Sequence, residues 1–119
     1  IRDLHTEADV LETLELSHSK PVLIFKHSTR CGVSAHAWQE YSRYSADRDE
    51  NDTILSTRVL VIEQRDLSKH IGERLGVSHA SPQLIVLWNG VAVRILSHFA
   101  ITTEAIREAL RATKDTDAT

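Results

Sequence analysis

Three short, predominantly apolar runs, Val22-Leu23-Ile24-Phe25, Arg58-Val59-Leu60-Val61-Ile62 and Leu84-Ile85-Val86-Leu87-Trp88, are separated by stretches of helical character. This alternation limits the fold more than any other feature. So few consecutive β-branched and apolar residues suit strands covered on both faces. Strands joined through a helix lie parallel in one sheet, because the connection has to cross over. Asn89-Gly90 follows the third run and is the strongest short signal for a two-residue hairpin. Val91 to Leu96 is therefore expected to return antiparallel.

The segments between the runs carry helix signals. Thr6-Glu7-Ala8-Asp9 has capping-box spacing, with Val10, Leu11 and Leu14 falling on one face and Ser17 to Lys20 ending the helix. Ala37, Trp38, Tyr41 and Tyr44 recur three and four apart, the pattern of a core stripe rather than a ligand cage. The charged stretch from Asp47 to Asp52 reads as a helix end and loop. Leu67, Ile71 and Leu75 mark a further helix that Gly76 is placed to end. Thr102 caps a last helix with Ala105, Ile106, Ala109 and Leu110 inward. The order α-β-α-β-α-β-β-α predicts an α/β, thioredoxin-like fold. Its sheet is mixed and four-stranded, two parallel strands plus a C-terminal β-hairpin, with helices on both faces. At 119 residues the chain has the length of one domain, expected over residues 1–113, with a polar tail over 114–119.

Several function classes are excluded early. A formal net charge of −3 gives no electrostatic footprint for nucleic acid or an anionic membrane surface. No apolar run approaches the roughly 18 residues of a membrane span. Arg2, Asp3, His5 and Glu7 interrupt any signal-peptide core. The first residue is Ile1, not methionine, so residues are expected to have preceded it. The chain has one cysteine, Cys31, which rules out an internal disulfide and points to a reducing, cytoplasmic setting.

Cys31 lies just past the first run, where a helix begins. A helix N-terminus presents unpaired N–H groups and a partial positive charge that favour a thiolate over a thiol. Lys26, His27 and Arg30 add positive or potentially positive charge nearby in sequence. Arg30 and Gly32 make the surroundings polar, which argues against a packing role for the sulfur. Ser81-Pro82 opens the third run, the place where thioredoxin-like proteins carry a cis-proline facing the nucleophile. His27, Cys31, His36, His79 and His98 are the donors that could converge on a metal. No CxxC or HxxxH pair occurs, so no metal site is expected.

At this point the sequence resembles a known family. His27-Ser28-Thr29-Arg30-Cys31-Gly32-Val33-Ser34 is similar to the His-Ser-Thr-x-Cys-Pro-Ile-Ser segment of the monothiol bacilliredoxins, or YtxJ-type proteins. Val61 to Arg65, Gly76 to Gln83, Asn89-Gly90, and Ser97-His98 with Ile101-Thr102 resemble further stretches of the family in the same order. The resemblance implies removal of bacillithiol, a small cysteine-containing thiol, from mixed disulfides on bacterial proteins. Bacillithiol is then a co-substrate, and no cofactor is bound. Cys31 becomes the attacking thiol and Pro82 the cis-proline, with Thr29, Arg30, Gly32 and Ser34 in the active-site loop. Bacillithiol carries carboxylates, so Lys26 and Arg30 are candidate charge partners. Lys26, His27, Ser81 and Pro82 form the candidate thiol-substrate site. The implied partners are bacillithiolated proteins, bacillithiol and a flavin-dependent disulfide reductase for recycling. One departure stands out: Gly32 occupies the position commonly held by proline, which loosens the helix start.

Two other readings fit the same residues. A glutathione-dependent monothiol glutaredoxin would use a different small thiol for the same chemistry. A thioredoxin-fold binding or stress protein would carry Cys31 idle.

Overall fold

A computed structural model of the chain describes residues 1–47 and 53–117, with the backbone alone described over 114–117. In chain order the elements are β1 (Arg2–Asp3), α1 (Glu7–Leu16), β2 (Val22–His27), α2 (Gly32–Ala46), β3 (Leu55–Leu60), α3 (Arg65–Leu75), β4 (Gln83–Trp88), β5 (Val91–Ser97) and α4 (Thr103–Asp117). A short 3-10 turn, His98–Ala100, precedes α4. The sheet has five strands in the order β1-β3-β2-β4-β5. Strand β3 is parallel to β1 and β2, whereas β4 runs antiparallel to β2 and to β5.

The local signals act as their chemistry requires. Thr6 and Asp9 exchange both capping-box bonds. Gly76 ends α3 in the left-handed region at φ 67°, which costs glycine no Cβ clash. Asn89 and Gly90 turn the hairpin with φ of 55° and 77°, the two positive values that a type I′ turn needs. The Thr102 hydroxyl accepts from the Ala105 N–H at 3.0 Å.

The structure departs from the sequence expectations in four places. The sheet has five strands rather than four, because two-residue, polar β1 adds to the edge of β3 with no apolar run to announce it. Strand β3 spans Leu55–Leu60 rather than Arg58 to Ile62. Thr57, though polar, is buried and donates its hydroxyl to the Leu23 carbonyl at 2.8 Å. Val61 and Ile62 lie in a turn, closed by Gln64 Oε1 accepting from the Leu60 N–H at 3.0 Å. On α1, Leu11 faces solvent and Thr13 takes the buried position beside Val10. Helix α4 continues to Asp117, into the expected tail, since no glycine or proline stops it; 118–119, and 48–52 of the expected loop, lie outside the described residues.

Alternation along β2 divides the core. Leu23 and Phe25 pack with Ala37, Tyr41 and Tyr44 of α2 and Ile106 of α4. Val22 and Ile24 pack on the other face with Val10, Leu67 and Ile71 of α1 and α3. Successive strand side chains point oppositely, so Lys26 follows Ile24 toward α3 and His27 follows Phe25 toward α2. Both clusters are closed, and β2 is buried along its whole length. Among the described residues no helix is long and apolar enough to cross a membrane.

Candidate active site

The chain leaves β2 at His27, turns through Ser28 to Arg30 and enters α2 at Gly32, with Cys31 as the N-cap residue. Cys31 has the extended backbone of a cap, φ −114° and ψ 125°, and is partly exposed. Its carbonyl accepts the first helical bond, from the Ala35 N–H at 3.0 Å. Its side chain makes no capping hydrogen bond, so the sulfur is left for other partners in the field of the helix start.

Two side chains fix the loop from below. The fully buried Ser34 hydroxyl accepts from the Ser28 N–H at 2.9 Å and lies 2.7 Å from His27 Nδ1. A hydroxyl carries one proton. With the Ser28 N–H occupying an acceptor site, that proton is best satisfied by donation to an unprotonated Nδ1. This selects the neutral ring with its proton on Nε2. Burial lowers the His27 pKa below 6.5, the Arg58 charge lowers it further, and Glu63 opposes the shift. The ring stacks on Trp38, centroids 5.3 Å apart, and Trp38 in turn carries the Arg58 guanidinium 4.7 Å above it. Asp3 anchors Arg58 at 2.7 Å, and that contact pulls the Asp3 pKa down.

On the neighbouring strand the Ser81-Pro82 bond is cis. The antiparallel register pairs Lys26 with Gln83, which puts Pro82 beside the end of β2 from which the Cys31 loop departs. Pro82 is buried, and its carbonyl accepts from the His98 N–H at 3.0 Å. The Ser81 hydroxyl is buried and has no partner among the described residues.

The structure thus gathers His27, Ser34, Cys31, Ser81 and Pro82 where the neighbouring central strands β2 and β4 meet end to start, with Thr29 and Arg30 exposed in the turn and Gly32 exposed at the first position of α2. It separates the three nearby positive charges that the sequence suggested. Lys26 is fully buried on the α3 face, where its ammonium donates to the Ser68 carbonyl at 3.1 Å. His27 is held neutral, and only Arg30 stands in the loop. His36 is exposed on α2 and His79 in the segment between α3 and β4. Among the described residues no group of three His, Cys, Asp or Glu side chains is placed to hold a metal. Sequence reading missed Arg58 and Asp3 because nothing in local spacing ties them to the loop. It gave Trp38 to the core only, because its stacking on His27 depends on how α2 packs against β2.

Gly32 has open space where a side chain would go, nothing lying within 4 Å of its missing Cβ. Cys31 already has the extended conformation required before a proline. Gly32→Pro is therefore expected to raise stability by about 0.4–1 kcal/mol, by restricting the unfolded chain. Urea denaturation checks this; a loss of stability would show that the Gly32 N–H is needed.

Comparison with solved structures agrees with this fold. A thioredoxin-fold protein described as a candidate oxidoreductase is 28% identical over 91% of each chain, with a TM-score of 0.80. The thioredoxin of Malassezia sympodialis superposes with a TM-score of 0.75 at 17% identity, covering 95% of this chain and 90% of its own. The thioredoxin of Fasciola hepatica gives 0.74 at 17% identity, covering 95% and 99%. The fold is therefore thioredoxin-like. Residues 2–106 match the family described as monothiol bacilliredoxin BrxC, and with that match spanning nearly the whole chain, the protein belongs to the monothiol bacilliredoxins.

Proposed function

We propose that the protein removes bacillithiol from mixed disulfides on other proteins by a one-cysteine exchange at Cys31. Its family is one of thiol oxidoreductases, and a structural relative at 28% identity is described as a candidate oxidoreductase. The observation that carries the reading is the placement of the chain's one cysteine, partly exposed at the start of α2 with its side chain uncommitted. The Cys31 thiolate attacks the bacillithiol sulfur of the mixed disulfide. A new S–S bond joins Cys31 to bacillithiol, the old S–S bond breaks, and the client cysteine leaves as a thiolate that takes up a proton. The exchange is redox-neutral. With no second cysteine in the chain, a further thiol must attack the adduct and release bacillithiol as a disulfide. A flavin-dependent disulfide reductase would close the cycle, in a reducing compartment such as the bacterial cytoplasm.

The test is intact-mass analysis of the reduced protein mixed with a bacillithiolated client and, separately, with a glutathionylated one. A bacillithiol adduct that forms faster than the glutathione adduct supports the reading. Equal or faster transfer of glutathione replaces it with a glutaredoxin-like activity. No adduct from either leaves a binding domain.

A further inference from the structure

A cleft of about 980 Å³ lies on the α3 side of the sheet, lined by residues of β2, the turn after β3, α3 and the segment before the cis-proline. None of the loop residues from Ser28 to Gly32 lines it. Its floor holds a buried charge. Lys26 is fully buried, yet among the described residues its ammonium, with three donors, has the Ser68 carbonyl as its one hydrogen-bond acceptor. Among the described residues no carboxylate lies within ion-pair distance of it. Burial alone pushes the Lys26 pKa down, the signature of a cation without a counter-charge. The hydroxyl of the same Ser68 is buried and has no partner among the described residues.

The walls repeat the pattern. Arg65, Ser68, Lys69 and Gly72 recur on the lining face of α3 at helical spacing. Arg65 and Lys69 are exposed, and the one acidic residue of the lining, Glu73, is 4.0 Å from the Lys69 ammonium. Gly72 keeps the floor open, because a Cβ there would sit 2.9 Å from the Val77 carbonyl and 3.8 Å from the Lys26 ammonium. The exposed His79 closes the end nearest Pro82. Two residues, Ala80 and Ser81, separate them in sequence, so their Cα atoms are at most about 11 Å apart.

We propose that this cleft is a carboxylate-binding site that seats the acidic end of the small thiol while its sulfur is exchanged at Cys31. Arg65 and Lys69 meet the carboxylates at the rim, and Lys26, covered in the free chain, supplies its charge from the floor. The inference rests on the bacillithiol reading for the identity of the ligand, but the carboxylate site itself is testable without it.

The first arm titrates the reduced protein with malate, a plain dicarboxylate, and follows backbone amide resonances. Shifts at Ser68, Gly72 and His79 are expected, with binding weakened about tenfold in Lys26→Met and in Arg65→Gln. The second arm compares transfer of bacillithiol with transfer of its methyl esters, which keep the sulfur and lose the negative charge. Wild type is expected to favour the free acid about tenfold, and Arg65→Gln to lose most of that preference. Arg65 is exposed, so this variant tests the site even where Lys26→Met fails to fold. Unmoved cleft amides, or acid and ester transferred alike, overturn the proposal even with bacillithiol exchange intact. Malate binding at the cleft without any bacillithiol exchange leaves the carboxylate site standing and overturns the function proposed above.

Discussion

Replacing Cys31 by serine is expected to abolish adduct formation and, at the same time, to make the protein slightly more stable. Exchange at a disulfide needs a sulfur nucleophile, and the chain holds no other cysteine that could substitute. No mass shift should appear in Cys31→Ser at any time point with either small thiol. The stability gain follows from the position. Cys31 already has N-cap geometry but makes no capping hydrogen bond. A serine hydroxyl there can accept from the second or third N–H of α2, a bond worth about 0.5–1 kcal/mol. The wild type thus forgoes a good cap at the start of α2 and keeps a thiol instead. Intact-mass kinetics and urea denaturation on the same preparation check both halves. An adduct on the serine variant would place the chemistry elsewhere, and unfolding would show that the thiol has a packing role.

The parts of this site that are local in sequence were legible in it. The apolar runs marked the three central strands, although the second reached only the last three residues of β3; the Asn-Gly pair marked the hairpin, and a cysteine after a buried strand marked the start of α2. Ser81-Pro82 was suggestive through its place in the layout, and the cis bond is there. What could not be read depends on which face a side chain takes. Lys26 and His27 are adjacent, and sequence alone treated both as charge near the thiol. The register of β2 sends one to α3 and the other beneath the loop. Strand β1 was invisible because pairing with β3, rather than any apolar pattern, makes those two residues a strand. The Asp3–Arg58–Trp38 stack joins residues far apart in the chain, and no spacing rule reaches across such distances.

Ser34→Ala is expected to cost about 2–4 kcal/mol, although it removes a single oxygen. The lost hydroxyl serves two buried groups, the Ser28 N–H and His27 Nδ1. Each is left without its partner, and an unpaired buried polar group costs about 1–3 kcal/mol. The same substitution at Ser42, whose buried hydroxyl has no partner among the described residues, should change stability by less than about 0.5 kcal/mol. The pH dependence identifies the bond. His27 titrates below its ordinary 6.5 in the fold, so as pH falls the unfolded chain takes the proton first. Its contribution is full above about 6.5 and is lost as pH drops through the lower folded value. His79, exposed but lowered by partial desolvation and then by the Lys26 charge, adds with the same sign. Urea midpoints of the wild type should therefore decline from pH 7.5 to 5. In Ser34→Ala the decline should be shallower, because the bond that rewards a neutral Nδ1 is gone while burial of the ring remains. A decline of unchanged steepness would mean that the ring donates to Ser34 rather than accepts from it, and the neutral-histidine account of this loop would have to be given up.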